Sequence, residues 1–342
     1  MKRKRILIIN TGGTIGMQPA SSGFRPVRGF LGQQLAEFPE FRDEQMPQFE
    51  VLEYEPLLDS ANFSPLNWLQ IATDIRRHHD SYDAFIVLHG TDTMAYTASA
   101  LAFMLPGLNR NVIVTGSQLP LCLRRTDARE NLVTALIVAG EHFVPEVCVL
   151  FGSVLLRGCR TTKTSATRFD AFESPNYPQL ASIGTRIRVF PERIRQTAAS
   201  ASAVPELVPI EETAVATVRL FPGFDPAILR NVLQIPLRGL VLESYGTGNG
   251  PAGNRQFLQV LQEAVDRGVL IVNLSQCLHG GVSQTEYASG RALHDAGVVS
   301  GGDMTVEAAL TKLMLLLGQG SDTETVRRRI GQDMAGEITL AT

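Results

Sequence analysis

Residues 87–101 read V-L-H-G-T-D-T-M-A-Y-T-A-S-A-L. With Phe85 and Ile86 ahead of them, Val87 and Leu88 complete a short apolar run between polar residues, the pattern of a strand buried on both faces. The run stops at His89-Gly90. From Thr93 onward the spacing turns helical: Met94, Leu101, Met104 and Leu105 predict one buried face, and Pro106 marks the end. Thr91-Asp92-Thr93 then stands at the carboxyl end of a parallel strand, opening a helix, which is where open α/β sheets place their ligands. A hydroxyl beside a carboxylate at that point can relay a proton and hold a substrate ammonium. The plainer reading is that Asp92 or Thr93 only caps the helix.

Toward the N-terminus, Arg5 to Asn10 reads as a first strand entering Thr11-Gly12-Gly13-Thr14-Ile15-Gly16-Met17. The glycines allow a sharp turn and a close approach of backbone to ligand. A dinucleotide-binding loop would need G-x-G-x-x-G followed by a helix. Here the first glycine is missing, Pro19 to Pro26 reads as a loop or hairpin, and no acidic residue lies between Met17 and Ala36 to hold a ribose. A threonine in a tight glycine turn at a strand end suits a nucleophile better, because small neighbours leave its hydroxyl reachable. A helix from Leu31 to Phe38 and a strand from Phe49 to Tyr54 follow. They lead to the loop Leu57-Leu58-Asp59-Ser60-Ala61-Asn62, where Asp59 and Ser60 suit an amino acid's ammonium and carboxylate or merely form a turn. Ser64-Pro65 opens the next helix.

C-terminal to the central stretch, Asn111 to Thr115 and Val147 to Phe151 read as buried strands. Between them lie the loop Gly116-Ser117-Gln118-Leu119-Pro120 and a helix from Asp127 to about Glu141, with Asp127 as its acidic cap and Glu130 three residues on. Arg157 to Lys163 is a basic segment ending in a lysine flanked by Thr162, Thr164 and Ser165. Most lysines are solvated surface groups, so Lys163 is a candidate only in company. From Pro191 the pattern dissolves into Thr197-Ala198-Ala199-Ser200-Ala201-Ser202-Ala203 between prolines, which reads as a linker. Beyond it βα alternation resumes, with strands at 215–220, 239–242 and 269–273, and helices from Asp225, Asn254, Asp303 and Asp322. The expected architecture is α/β: a larger N-terminal doubly wound sheet domain over 1–190, a linker over 191–212, and a smaller C-terminal α/β domain over 213–342.

At 342 residues the chain is long enough for two cores, and 44% hydrophobic with 19% charged residues describes a globular protein. A net charge of −3 gives no electrostatic case for nucleic acid or an anionic membrane surface. No apolar run approaches the ~20 residues of a membrane span. The four cysteines, Cys122, Cys148, Cys159 and Cys277, are scattered without a C-x-x-C pair, as reduced thiols of a cytoplasmic protein would be. No H-E-x-x-H or similar spacing suggests a metal site.

Taken together, T-G-G-T-I-G at 11–16, D-S at 59–60, H-G-T-D-T at 89–93, T-G-S-Q at 115–118 and T-T-K at 161–163 resemble the L-asparaginases, most tightly the bacterial cytoplasmic type I enzymes. The likeness extends to Y-G-T-G-N at 245–249 and to G-G-D-M-T-V-E-A-A-L-T-K-L at 301–313. It implies hydrolysis of L-asparagine to L-aspartate and ammonia without cofactor or metal. It also implies a homotetramer of close dimers, whose active sites lie between the N-terminal domain of one subunit and the C-terminal domain of its partner. By resemblance Thr14 is the nucleophile, and Thr91, Asp92 and Lys163 form a second catalytic group. Asp59, Ser60 and Asp92 hold the amino acid's backbone groups, Ser117 borders the pocket, and Asn249 reaches a neighbouring site.

Two positions depart from the pattern. Ala128 stands where a glycine is common, and Phe24 stands where the hairpin after the nucleophile usually carries a tyrosine. Tyr287, in the polar segment Gln284 to Gly290, is the candidate to supply the missing phenol from the C-terminal domain. Two other readings compete. One is an ammonia-releasing subunit of a tRNA amidotransferase, in which an additional N-terminal domain would be expected ahead of T-G-G-T. The other is a non-catalytic asparagine sensor, against which the joint retention of Thr14, Thr91, Asp92 and Lys163 weighs.

Overall fold

Every residue of the strand Ala84–Leu88 is buried, so the sheet that contains it must be covered on both sides. In the computed structural model, which describes residues 3–21, 23–196, 204–210 and 213–340, that sheet belongs to the first of two units, residues 1–208 and 209–342. The first unit begins with β1 (Arg5–Gly12), a hairpin of β2 (Met17–Ala20) and β3 (Gly23–Pro26), α1 (Phe30–Glu37), β4 (Gln48–Leu58) and α2 (Pro65–His78). It continues through β5 (Ala84–Leu88), α3 (Met94–Met104), β6 (Asn111–Thr115), α4 (Ala128–Glu141), β7 (Val147–Phe151) and β8 (Val154–Arg157). The short strands β9 (Thr162–Lys163), β10 (Phe172–Glu173), β11 (Ala181–Ile183) and β12 (Ile187–Val189) complete it.

The main sheet has the order β12-β11-β8-β7-β6-β5-β1-β4. Strands β4, β1, β5, β6 and β7 run parallel, whereas β8, β11 and β12 add antiparallel pairings at one side. After β1 the chain goes to one side for β4 and then crosses to the other for β5. The strand order therefore reverses between β1 and β5, and a crevice opens there at the carboxyl ends. Ile6, Ile8, Ala84, Ile86, Leu88 and Ile113 join residues of α1 and α4 in one core cluster. Period-two alternation turns their neighbours toward the opposite face, which α3 covers with α2 packed against it.

Two local expectations are corrected. Helix α3 is buried on nearly every side, including Ala95, Ala98, Ser99 and Ala100, not along one face. It packs between the sheet on one side and α2 and the turn Gly158–Arg160 on the others, and a helix covered all round is apolar all round. Asp127 precedes α4 but makes no side-chain cap bond to it; its carboxylate is used elsewhere, as described below.

The second unit comprises β13 (Val215–Arg219), α5 (Pro226–Val232), β14 (Gly239–Ser244), α6 (Arg255–Asp266), β15 (Leu270–Ser275), α7 (Ala288–Asp295), β16 (Val299–Ser300), α8 (Val306–Gly318) and α9 (Thr323–Ile330). Its four strands form a parallel sheet in sequence order. Leu240, Leu242 and Ile271 pack with Leu229, Phe257, Leu261 and Leu293 in its core. Buried Lys312 of α8 donates to Glu337 and to the carbonyl of Ile330, which ties down the C-terminal tail. Within the expected linker, residues 197–203, 211 and 212 lie outside the described residues. Pro191–Arg193 forms a 3-10 turn, and residues 204–210 carry no regular structure.

Candidate active site

Strand ends meet closely at the crevice because two glycines leave room. Gly13 has φ +83°, and a Cβ there would lie 2.4 Å from the backbone N of Gly90. A Cβ on Gly90 would lie 2.5 Å from Ser60 Oγ. The loops after β1 and β5 are thus stacked backbone on backbone at Gly13, where no other residue type fits, and at Gly90 the Ser60 side chain occupies the space a Cβ would need. Beside this contact the Thr11 hydroxyl donates to Leu88 O at 2.7 Å, joining the ends of β1 and β5 directly.

Thr14 opens a 3-10 turn, Thr14–Gly16, anchored by fully buried Ile15, whose carbonyl accepts the Leu121 N–H at 3.2 Å. Thr14 itself is half-buried, and its hydroxyl makes no hydrogen bond among the described residues. The loop after β5 carries the second cluster. Lys163 Nζ donates to Thr91 Oγ1 and to Asp92 Oδ1, each at 2.8 Å. Thr91 Oγ1 in turn donates to Gln118 Oε1 at 3.3 Å. Neither Asp92 nor Thr93 serves as a simple helix cap: Thr93 makes no side-chain cap bond, and its hydroxyl donates to Ser60 O at 2.8 Å.

The lysine is seated by its own small sheet. Lys163 on β9 pairs with Phe172 on β10, and Phe172 packs on Phe151 with ring centroids 4.9 Å apart. Only 19% of the Lys163 side chain is exposed, against 69% of Asp92. The ammonium is thus held inside the cluster, and the carboxylate keeps a face open to a ligand. An ion pair so exposed on one side contributes little to stability, ~0–1 kcal/mol, so its value lies in placing the groups.

Gln118 binds this cluster to its surroundings. Its Nε2 donates to Arg168 O at 3.0 Å and to Ser165 O at 3.4 Å, tying Thr91 to the segment between β9 and β10. Asp127 holds Gln118 in turn: its carboxylate accepts the N–H groups of Gln118 and Leu119 at 2.9 and 3.1 Å, and Asn131 Nδ2 at 3.3 Å. Neither residue stands out by type. The T-G-S-Q match points to Gln118 without a role, and in sequence Asp127 reads as a cap. Of the other expected contacts, buried Ser60 lies against Gly90, while Asp59 is exposed and accepts the Ala61 N–H at 3.1 Å. Ser117 is buried and its hydroxyl donates to Leu119 O at 2.7 Å, so it shapes its own loop.

Residues 5–195 match the family described as Asparaginase, N-terminal, and residues 214–329 match the Glutaminase/Asparaginase C-terminal domain. This chain belongs to the asparaginase family. L-asparaginase 1 of Escherichia coli strain K12 is 50% identical over 341 residues, 99% of each chain. The crystal structure of L-asparaginase I from Vibrio cholerae has a TM-score of 0.91 at 44% identity, covering 99% of this chain and 100% of that one. The thermostable L-asparaginase from Thermococcus kodakarensis has a TM-score of 0.88 at 35% identity, covering 98% and 100%.

Two more candidates of this asparaginase-family chain lie in its second unit. Asn249 closes the loop after β14 through paired bonds with Tyr245 at 2.9 and 2.8 Å. Its Oδ1 accepts the Ser289 hydroxyl at 2.6 Å, while its Nδ2 donates to no described residue. Tyr287 precedes α7, is 57% exposed, and has no hydroxyl partner among the described residues. In the first unit, Phe24 stands on the β2–β3 hairpin, 48% exposed, opposite Pro19. Among the described residues no three His, Cys, Asp or Glu side chains are placed to hold a metal ion, and no helix is long and apolar enough to cross a membrane.

Proposed function

We propose that the chain is an L-asparaginase in which Thr14 attacks the side-chain amide of L-asparagine. The observation that carries this reading is the shared lysine: Lys163 Nζ stands 2.8 Å from both Thr91 Oγ1 and Asp92 Oδ1, in the strand-end loop packed against the Thr14 turn. A threonine hydroxyl is unreactive until a base takes its proton. The neutral form of Lys163, reached through Thr91, is that base, and Asp92 steadies the ammonium that results. The Thr14 oxygen bonds the amide carbon. The C–N bond then breaks with a proton returned to nitrogen, and ammonia leaves an aspartyl ester on Thr14. Water attacks that ester, gives a proton back to the Thr14 oxygen, and releases L-aspartate. The Thr91 N–H, which has no acceptor among the described residues, is the donor for the oxyanion in both steps.

The exposed carboxylates of Asp92 and Asp59 receive the substrate's α-ammonium, and the Ser60 segment receives its α-carboxylate. Ser117 shapes the pocket wall. Asn249 completes a site on a second copy, in a tetramer of close dimers. The reaction as written needs neither metal nor cofactor, and four cysteines outside any disulfide suit the reducing cytoplasm. Ammonia release from L-asparagine tests the reading. The wild-type chain should turn over, and Thr14→Ala and Lys163→Met should each lose at least ~10³-fold in kcat, about 4 kcal/mol on the barrier, with unchanged circular dichroism. Absence of ammonia from the wild-type chain would sink the reading. A variant within tenfold of wild type would remove that residue from the mechanism.

A further inference from the structure

The reaction uses Thr91 twice, through its hydroxyl and through its N–H, yet leaves unexplained the titratable side chain two residues before it. His89 is 0% exposed. Its Nδ1 lies 2.7 Å from Gly90 O, and its Nε2 lies 2.8 Å from Thr97 Oγ1. Thr97 Oγ1 also accepts the indole N–H of Trp68 at 2.9 Å. The ends of this chain fix two of its bonds. An indole N–H only donates and a carbonyl only accepts, so Trp68 donates to Thr97 Oγ1 and His89 Nδ1 donates to Gly90 O. In a neutral imidazole protonated on Nδ1, the bare Nε2 then accepts the Thr97 hydroxyl.

The surroundings enforce that state. Phe63 packs on the imidazole with ring centroids 4.2 Å apart. The His89 N–H donates to Thr115 O at 2.9 Å, and Gly116 approaches so closely that a Cβ there would lie 2.2 Å from His89 O. Burial depresses the imidazole pKa from its ordinary 6.5 to about 4, against the pull of the Gly90 carbonyl, so the ring is neutral through the physiological range.

The carbonyl it holds belongs to the Gly90–Thr91 peptide. The cis peptides are Glu55–Pro56 and Ile235–Pro236, so this one is trans, and its N–H points away from the imidazole. Thr91 is only 6% exposed, yet that N–H finds no acceptor among the described residues. Buried backbone donors are almost always paired, so one held open invites an acceptor from outside the chain. We infer that His89 is a positioning residue for catalysis: through Gly90 O it fixes the plane of the Gly90–Thr91 peptide and presents the Thr91 N–H to the developing oxyanion. A donor on the carbonyl also strengthens the N–H of the same peptide, because hydrogen bonds in series polarise one another. This inference rests on the asparaginase reading above and adds to it a neutral three-side-chain support, Trp68-Thr97-His89.

The test compares His89→Leu, which removes the Nδ1–H, with His89→Asn, whose side-chain amide can donate from nearly the same place. In ammonia release, His89→Leu should lower kcat on the order of tenfold to a hundredfold, part of the loss known for a deleted oxyanion donor. KM for asparagine should move less than threefold, and His89→Asn should recover most of kcat. Thr97→Val, which removes only the relay hydroxyl, should give a smaller loss in the same direction and serves if His89→Leu does not fold. A kcat within twofold of wild type in both His89→Leu and Thr97→Val overturns the inference, as does a loss that His89→Asn leaves unrepaired or that appears wholly in KM. Nitrogen-15 NMR decides independently of activity. The wild-type His89 ring should show a protonated Nδ1 and a bare Nε2, and the Thr91 amide resonance should shift in His89→Leu. The opposite tautomer or an unmoved Thr91 amide rejects the inference even if the wild-type chain proves inert on asparagine, the result that sinks the asparaginase reading itself.

Discussion

Phe24 is the residue at which this chain departs most plainly from its family resemblance, and the structure sharpens the question. A phenylalanine can cover substrate and exclude water, but it cannot polarise Thr14 or pass on its proton. Phe24 is about half exposed on a two-stranded hairpin, in keeping with a cover. Tyr287 has a phenol without a partner among the described residues and stands just before α7, two residues ahead of the Ser289 that holds Asn249. If Tyr287 supplies the phenol, Tyr287→Phe should lower kcat about a hundredfold, the scale of a lost acid–base group, with little change in oligomer stability. Adding Phe24→Tyr should then restore part of it. A fully active Tyr287→Phe, measured by ammonia release, leaves Lys163 and Thr91 as the sole activators of Thr14. At this scale the sequence was readable wherever residue type decides the chemistry. It was silent where partners far along the chain decide it. Gln118 looks like any loop glutamine until Thr91 and Arg168 are seen on either side of its amide. Asp127 resembles a helix cap until its carboxylate is found on the Gln118 and Leu119 N–H groups.

The elements explain why those residues hold still, and they carry a consequence for stability against pH. His89 lies at the end of β5, among α2, α3 and the loop after β6, and touches Phe63, Thr97 and the Gly90 carbonyl, none of which titrates near neutrality. Its pKa is depressed from 6.5 to about 4 on folding, so between those values the unfolded chain binds a proton that the folded chain refuses. The contribution is fully present above pH 6.5 and is lost as pH falls toward 4, by roughly 3 kcal/mol in all. Denaturant unfolding at fixed protein concentration should therefore show the wild type losing about that much more than His89→Asn between pH 7 and pH 4. Parallel pH curves for the two proteins would contradict the burial argument. The same elements show what was legible beforehand. Strands β5, β6 and β7 were plain because burial on both faces leaves an uninterrupted apolar run. Strands β9 to β12 have two or three residues each, too few to show any period. The eight residues of α7 begin with Ala-Ser-Gly, which reads as loop.

At the scale of the whole molecule, each unit offers one loop system at the carboxyl ends of parallel strands, and the candidate groups are divided between them. The first unit carries Thr14 and the Thr91–Asp92–Lys163 cluster. The second carries Asn249, its Oδ1 already engaged by Ser289 and its Nδ2 left to donate elsewhere. If one copy's Asn249 serves another copy's Thr14, an active site is a property of the pair. Symmetry then dictates the outcome of mixing two inactive proteins. In a close dimer of one Thr14→Ala and one Asn249→Ala subunit, one site collects both defects and the other collects neither. Random pairing at equal amounts makes half the dimers mixed, each with one intact site of two, so activity should return to about a quarter of wild type. Sites built within a single chain predict no recovery, because every site then carries one defect. The measurement is ammonia release after co-refolding, with native mass spectrometry to count the mixed species. Mixed oligomers without recovered activity would place Asn249 outside the partner's site.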